Sequence, residues 1–214
     1  MMVGNIHEAL RQVQEMKLRL LAAERFTGYS GRVRALAGVF ALTGAIVMSR
    51  PWFPHTAPAH LIGWCVVMVA AFLSNYSALF YWYFFLSEEG RDWRRLVPAA
   101  DGLPPMVVGG LLSSVFVLEG EYNYLFGTWM CLFGLTNLSS RRVLPKGSWP
   151  LGIYYIICGT MCLHWPYTDF TNPWPMGIVF FVGEIVGSYI FHIHRLPEWR
   201  IGRLLKKGGP GHVE

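Results

Sequence analysis

The sequence predicts an all-α fold, a polytopic bundle of transmembrane helices. Three observations lead to this prediction: 53% of the 214 residues are hydrophobic, only 14% are charged, and apolar runs alternate with short polar connections. A soluble domain carries about 25% charged residues. Aromatic residues reach 15%, with nine Trp, a bias typical of rings at a membrane interface. The composition excludes a disordered chain and argues against an ordinary soluble enzyme.

An amphipathic helix is predicted ahead of the membrane segments, over residues 5–25. Asn5 can cap this helix, and Glu8 closes a capping box three residues later. Apolar residues then recur at helical spacing, namely Ile6, Leu10, Val13, Met16 and Leu20. We expect residues 1–31 to form a cytoplasmic helix and linker, whose apolar stripe is free to dock on a protein or on the membrane surface.

Six apolar segments follow within residues 32–194, and each is predicted to span the membrane. Their approximate limits are 33–49, 60–86, 103–118, 123–139, 149–163 and 175–193. A span needs roughly 20 residues. The first, third and fifth segments are short, so they need flanking aromatic residues or local thinning of the bilayer.

The basic residues predict how the chain threads the membrane. With the N-terminus in the cytoplasm, seventeen of the eighteen Lys and Arg residues fall on the cytoplasmic side, and Arg50 falls outside. The N-terminal tail contributes six of them: Arg11, Lys17, Arg19, Arg25, Arg32 and Arg34. Because short loops rich in Lys and Arg stay in the cytoplasm, both termini are predicted to be cytoplasmic. The basic tail 195–214 is expected against anionic lipid, and nucleic acid is not an expected partner.

Glu184 is the most informative polar residue, because it lies in the middle of the last apolar segment. A carboxyl group near the bilayer centre is costly, so it should face the bundle interior or a cavity. Ser188 and His192 follow at i+4 and i+8, on roughly the same helix face, and Asn75 is a further polar candidate in the second segment. Two interpretations stay open: a Glu–Ser–His ladder that relays protons or holds a polar ligand, and a buried acid hydrogen-bonded to a neighbouring helix.

Glycines predict where helices pack closely. Three pairs recur at intervals of four or seven residues: Gly183 with Gly187, Gly127 with Gly134, and Gly152 with Gly159. Small residues let helix backbones approach each other. We therefore expect these positions to pack helices together, with a homodimer face as the alternative.

No catalytic residue, cofactor or metal is predicted. The sequence has no phosphate-binding Gly-Lys-Ser loop, no His-Glu-x-x-His and no Gly-x-Ser-x-Gly. The cysteines lie in apolar runs without a CxxC pair, so neither a disulfide framework nor a zinc site is expected. An enzyme is therefore less favoured than a protein without catalytic activity.

Short small-residue motifs carry a family resemblance. Behind the charged leading helix, Phe26-Thr-Gly-Tyr-Ser-Gly-Arg32 runs into Ala37-Gly-Val-Phe-Ala-Leu-Thr-Gly-Ala45. Further along lie Val108-Gly-Gly-Leu111, Leu132-Phe-Gly-Leu-Thr-Asn137 and Leu151-Gly-Ile153. In these motifs the chain resembles a family of uncharacterised bacterial multipass inner-membrane proteins. The resemblance implies a bacterial inner-membrane location, and it implies no activity or catalytic residue.

Three functions are compatible with these features. The leading hypothesis is a non-enzymatic membrane protein, a sensory, regulatory or assembly component that acts through partners docked on the N-terminal helix. The first alternative is a small transporter or channel that uses Glu184. The second is a membrane enzyme or binder of a lipid-like molecule, for which Glu184 and Asn75 are the candidate pair. The expected partners are the lipid bilayer, a protein on the N-terminal helix and a second copy of the chain.

Overall fold

The computed structural model describes residues 11–13, 31–81, 84, 102–140, 147–165 and 169–194. Helices dominate this part of the chain: α1 (Gly31–Met48), α2 (Ala57–Tyr81), α3 (Leu103–Leu118), α4 (Leu125–Ser139), α5 (Trp149–His164) and α6 (Trp174–His194). A short 3₁₀ turn, Tyr122–Tyr124, precedes α4. No strand occurs within these ranges, which confirms the predicted all-α class.

Each of the six helices lies on one of the apolar segments, with ends that differ by a few residues. The fourth helix begins at Leu125 rather than at residue 123, because the 3₁₀ turn occupies the residues before it. The end of the predicted 60–86 segment lies mostly outside the described residues. The predicted N-terminal helix also lies outside them except for residues 11–13, which are helical, and so does the basic tail 195–214.

Three helices are long and apolar enough to cross a membrane. They are α1 over its whole length, α2 over Ala57–Ala78 and α6 over Trp174–Ile193; α3 is apolar but shorter. Large apolar side chains also cover the outward faces of α2 and α3, among them Ile62, Leu73, Val107, Leu111 and Val115. Extensive exposed apolar surface marks contact with lipid or with other proteins. Length and surface together indicate a membrane protein.

Helices α1 and α6 pack antiparallel at close range. A Cβ atom at Gly38 of α1 would lie 3.1 Å from the Glu184 Cβ and 3.3 Å from the Phe181 carbonyl oxygen. Further along, Gly177 of α6 lies against the Ala45 side chain. Because these glycines have no side chain, the two backbones approach closely. This contact brings the first turns of α1 beside the middle of α6.

Helices α4 and α5 form a second close antiparallel pair. A Cβ atom at Gly134 would lie 2.6 Å from the carbonyl oxygen of Gly152, and one at Gly159 would lie 2.7 Å from that of Gly127. The glycines of one helix therefore face the glycines of the other, in two pairs that lie seven residues apart. They pack inside one chain, so these positions do not offer a face to a second copy.

An apolar core fills one end of the bundle, where α1 and α5 end and where α2, α4 and α6 begin. Its buried members include Met48, Trp64, Leu125, Phe126 and Met130. Phe170, from the connection between α5 and α6, inserts its ring 4.7 Å from that of Phe126. Its backbone N–H donates to the Asn123 side chain at 3.0 Å, which fixes this connection over the core. Polar side chains gather in the other half of the bundle.

Candidate functional site

Four polar side chains from four helices, three of them buried and one part-buried, meet in the half of the bundle away from the apolar core. They are Arg34 of α1, Asn137 of α4, Tyr155 of α5 and Glu184 of α6. Glu184 is 4% exposed, Asn137 5% and Tyr155 0%, while the Arg34 side chain is 11% exposed. Glu184 is the only acidic residue in the six described helices, and Arg32 and Arg34 are their only Arg or Lys residues. We call these four side chains the polar cluster.

A bidentate ion pair forms the centre of the polar cluster. Arg34 Nη2 donates to Glu184 Oε1 at 2.8 Å, and Arg34 Nε donates to Oε2 at 2.9 Å. This fork geometry is the strongest arrangement of an Arg–carboxylate pair. Both carboxylate oxygens accept hydrogen bonds from the guanidinium group, as they do in an ionised pair. The contact joins residues 150 positions apart in the chain.

Neutral groups complete the hydrogen bonding of this pair. The Tyr155 hydroxyl donates to Glu184 Oε1 at 3.0 Å, and Arg34 Nη2 also donates to Asn137 Oδ1 at 3.2 Å. Asn137 is itself fixed, because its Nδ2 donates to the Phe133 carbonyl at 2.9 Å. A buried ion pair persists only where such additional hydrogen bonds offset the loss of hydration. The polar cluster satisfies this condition.

The predicted Gly-xxx-Gly pair of α6 makes room for the polar cluster. A Cβ atom at Gly187 would lie 2.8 Å from Arg34 Nε. One at Gly183 would overlap the Tyr155 hydroxyl. These two glycines therefore admit the guanidinium group and the phenol ring beside Glu184, in addition to their role in helix packing.

Of the four predicted polar site residues, only Glu184 belongs to the polar cluster. Ser188 is half-buried and His192 is exposed, and neither is a hydrogen-bond partner of Glu184 in the described structure. The predicted Glu–Ser–His ladder is therefore absent from the described helices, because a side chain of the neighbouring helix takes both carboxylate oxygens. Asn75 lies on α2, which packs on α1, and it makes no hydrogen bond to Glu184 either.

Sequence reasoning missed the partners of Glu184. The charge count groups Arg34 with the N-terminal tail, whereas the structure places it in the first turn of α1 with its side chain part-buried at 11% exposure. Its position inside the predicted 33–49 segment was an available signal, because a cation inside an apolar span needs an anionic partner. Tyr155 gave no comparable signal, since tyrosine is common in apolar segments.

Chemically, the polar cluster brings one cationic and one acidic side chain together with two neutral hydrogen-bonding side chains. The carboxyl group of Glu184 thereby connects α6 to α1 and α5. The described part of the chain does not contain three or more His, Cys, Asp or Glu side chains grouped to hold a metal ion.

Comparisons with known proteins give no relative: no family model matches the chain, and no curated protein or solved structure is significantly similar to it. Fold and site alone therefore define the class of protein. It is an all-helical protein that carries helices of membrane-spanning length. An ion pair joins α1 to α6, and hydrogen bonds with Asn137 and Tyr155 connect α4 and α5 to this pair.

Proposed function

We propose that the chain is a six-span protein of the bacterial inner membrane, with both termini in the cytoplasm, and that it acts without catalysis as a sensory, regulatory or assembly component. The observation that carries this proposal is the hydrogen bonding of both Glu184 carboxylate oxygens inside the polar cluster. Both oxygens of Glu184 are engaged by Arg34, and Tyr155 adds a third hydrogen bond. The single carboxylate of the described helices thus holds helices together. This structural role favours a protein that acts through partners.

The packing of the shorter helices supports six spans. Helices α4 and α5 have 15 and 16 residues, and 16 residues reach only about 24 Å. The hydrocarbon core of a bilayer is about 30 Å thick, so local thinning is required. Both helices contribute to the polar cluster together with α1 and α6, which have the length of a span. Because α4 and α5 pack into one bundle with these longer helices, we expect the pair to cross the same bilayer.

The distribution of charge supports cytoplasmic termini. Two of the three connections on the side opposite the termini contain acidic residues, namely Glu119 and Glu121 between α3 and α4 and Asp169 between α5 and α6, and all three are exposed. The two tails and the loops on the side of the termini together contain seventeen of the eighteen Lys and Arg residues, and such a charge bias favours a cytoplasmic location for these segments. Under this orientation the polar cluster lies in the cytoplasmic half of the bundle and the apolar core in the outer half.

Cysteine labelling of intact cells tests this topology. In a background without the four native cysteines, Glu119→Cys is expected to react with a membrane-impermeant maleimide added outside. Lys146→Cys is the matched position on the opposite side, and it should react only after the membrane is opened. The reverse pattern, or equal reaction at both positions, would contradict the proposed threading.

Partner docking on the N-terminal helix is tested by crosslinking in living cells. Val13 lies on the apolar stripe of the sequence and its side chain is exposed, whereas Arg11, two residues away, points to a different face of a helix. A photoreactive amino acid at position 13 is expected to give a discrete protein adduct, while one at position 11 gives little. Equal adducts at both positions, or adducts with lipid alone at position 13, would remove the basis of the partner hypothesis.

The two alternative functions receive less support from the geometry. An ion pathway usually contains several paired ionisable groups, and the described helices contain one acidic residue, already paired. A lipid-directed enzyme would need Glu184 and Asn75 to act together. Asn75 lies on α2, and it does not contact the carboxylate by a hydrogen bond in the part of the chain described here.

A further inference from the structure

Two buried polar atoms on α2 have no hydrogen-bond partner in the described structure. They are Nε2 of His60, a residue 0% exposed, and Nε1 of Trp64, a residue 3% exposed. Four residues separate them, so they lie on the same face of the helix. The Trp64 ring packs 5.7 Å from that of Phe126 on α4, and Met48 of α1 lies against the intervening Gly63. Both residues therefore lie at the apolar end of the bundle.

The hydrogen bonding of His60 defines what its free nitrogen can do. Its Nδ1 lies 3.1 Å from the carbonyl oxygen of Thr56. Because a carbonyl oxygen only accepts, Nδ1 carries the hydrogen, and Nε2 of the neutral ring is left as an acceptor. The indole Nε1–H of Trp64 is only a donor. One buried acceptor and one buried donor thus lie one helical turn apart.

We propose that a single water molecule binds between these two residues, accepting a hydrogen bond from Trp64 Nε1–H and donating one to His60 Nε2. Residues four apart are neighbours on one helix face, and a water molecule lies about 2.8–3.0 Å from each nitrogen to which it is hydrogen-bonded. A buried polar atom without a partner is destabilising, and trapped water commonly supplies the missing partner. The site is independent of the function proposed above.

Burial selects water among hydroxyl-bearing molecules. A lipid or a long-chain alcohol would need an opening for its tail, whereas His60 and Trp64 are covered on all sides by protein. A metal ion would satisfy His60 Nε2 but would repel the Trp64 N–H. In the described part of the chain, moreover, no group of three His, Cys, Asp or Glu side chains surrounds the imidazole. Only a molecule that both donates and accepts suits the two atoms.

A thermal double-mutant cycle in detergent or nanodiscs tests the shared water. His60→Phe and Trp64→Phe are each expected to lower Tm by about 2–4 °C, because each leaves the water with one partner fewer. The double variant should lose clearly less than the sum of the two single losses, since it removes the need for the water. His192→Phe and Trp149→Phe, both at exposed positions, serve as controls with little change. Single variants that raise Tm, or strictly additive losses, would overturn the proposal.

A spectroscopic measurement identifies the occupant directly. In protein labelled with ¹⁵N-tryptophan, the indole resonance of Trp64 is the one that the Trp64→Phe variant lacks. We expect this resonance to show a cross-peak to water, and we expect His60→Phe to shift the resonance and to weaken the cross-peak. A cross-peak to lipid protons in place of water, or no cross-peak to either, would refute a bound water.

Discussion

Glu184→Gln is expected to lower the free energy of unfolding by about 3–5 kcal/mol, the cost of breaking a buried ion pair by removing one partner. The substitution keeps the size of the side chain but removes the carboxylate that pairs with the part-buried Arg34 guanidinium group. The loss should appear in SDS-titrated unfolding of the purified protein, followed by tryptophan fluorescence.

The matched control for this variant is Glu119→Gln. Glu119 is exposed just after α3, so the same chemical change should alter the free energy of unfolding by no more than about 0.5 kcal/mol. If both variants unfolded at the same SDS concentration, the pairing of Glu184 with Arg34 would contribute nothing measurable to stability. That result would contradict a structural role for the polar cluster.

Gly134→Val is expected to destabilise the bundle by about 3 kcal/mol or more, at the upper end of the cost of overpacking. A Cβ atom at this position would lie 2.6 Å from the Gly152 carbonyl oxygen and 3.1 Å from the Ile156 backbone nitrogen. Because the obstacle is backbone, α4 and α5 must separate, and their separation displaces Asn137 and Tyr155 from the polar cluster. The midpoint of SDS-titrated unfolding measures the effect.

Gly110→Val is the control for steric specificity. Gly110 lies in α3, and a Cβ atom there would have no neighbour within 4 Å. The same substitution is therefore expected to be nearly neutral or slightly stabilising, because glycine is the weaker helix former. Comparable losses at the two positions would show that α4 and α5 do not rely on contact between their glycines.

The helices could be predicted because apolar runs of helical length are bounded by charges and turn formers. Leu103–Leu118, for example, is both a predicted segment and the observed α3, as no charged residue interrupts it. The first residue of α4 was harder to predict from the sequence. Residues 122–124 are aromatic and polar in alternation, and whether such residues continue a helix or form a 3₁₀ turn depends on the packing around them.

Glu184 could be found from the sequence, Arg34 gave only an ambiguous signal, and Asn137 and Tyr155 gave none. Glu184 stands out because a carboxyl group within an apolar segment is rare and costly. Its contact with Arg34 spans 150 positions, and local spacing along α6 indicates only neighbours such as Ser188. Arg34 lies near a helix start, where a cation also fits a cytoplasmic loop. Tertiary packing, rather than periodicity, determines the actual partner.

The glycines were predicted as packing positions, and the structure shows which surface each one meets. Gly127 and Gly134 repeat at seven residues, the interval that returns to nearly the same helix face, and they face the glycines of α5. Gly183 and Gly187 instead admit Tyr155 and Arg34. The distinction depends on the neighbouring helix, so a single sequence contains no signal for it.

A double-mutant cycle on Arg34 and Glu184 tests the central claim most directly, namely that these two residues hold the bundle together as an ion pair. The cycle compares Arg34→Met, Glu184→Met and the double variant by their free energies of unfolding. The ion pair predicts that each single variant is strongly destabilised and that the double variant recovers about 2–3 kcal/mol relative to the sum. Losses that add within about 0.5 kcal/mol would show two independent residues and would contradict the account.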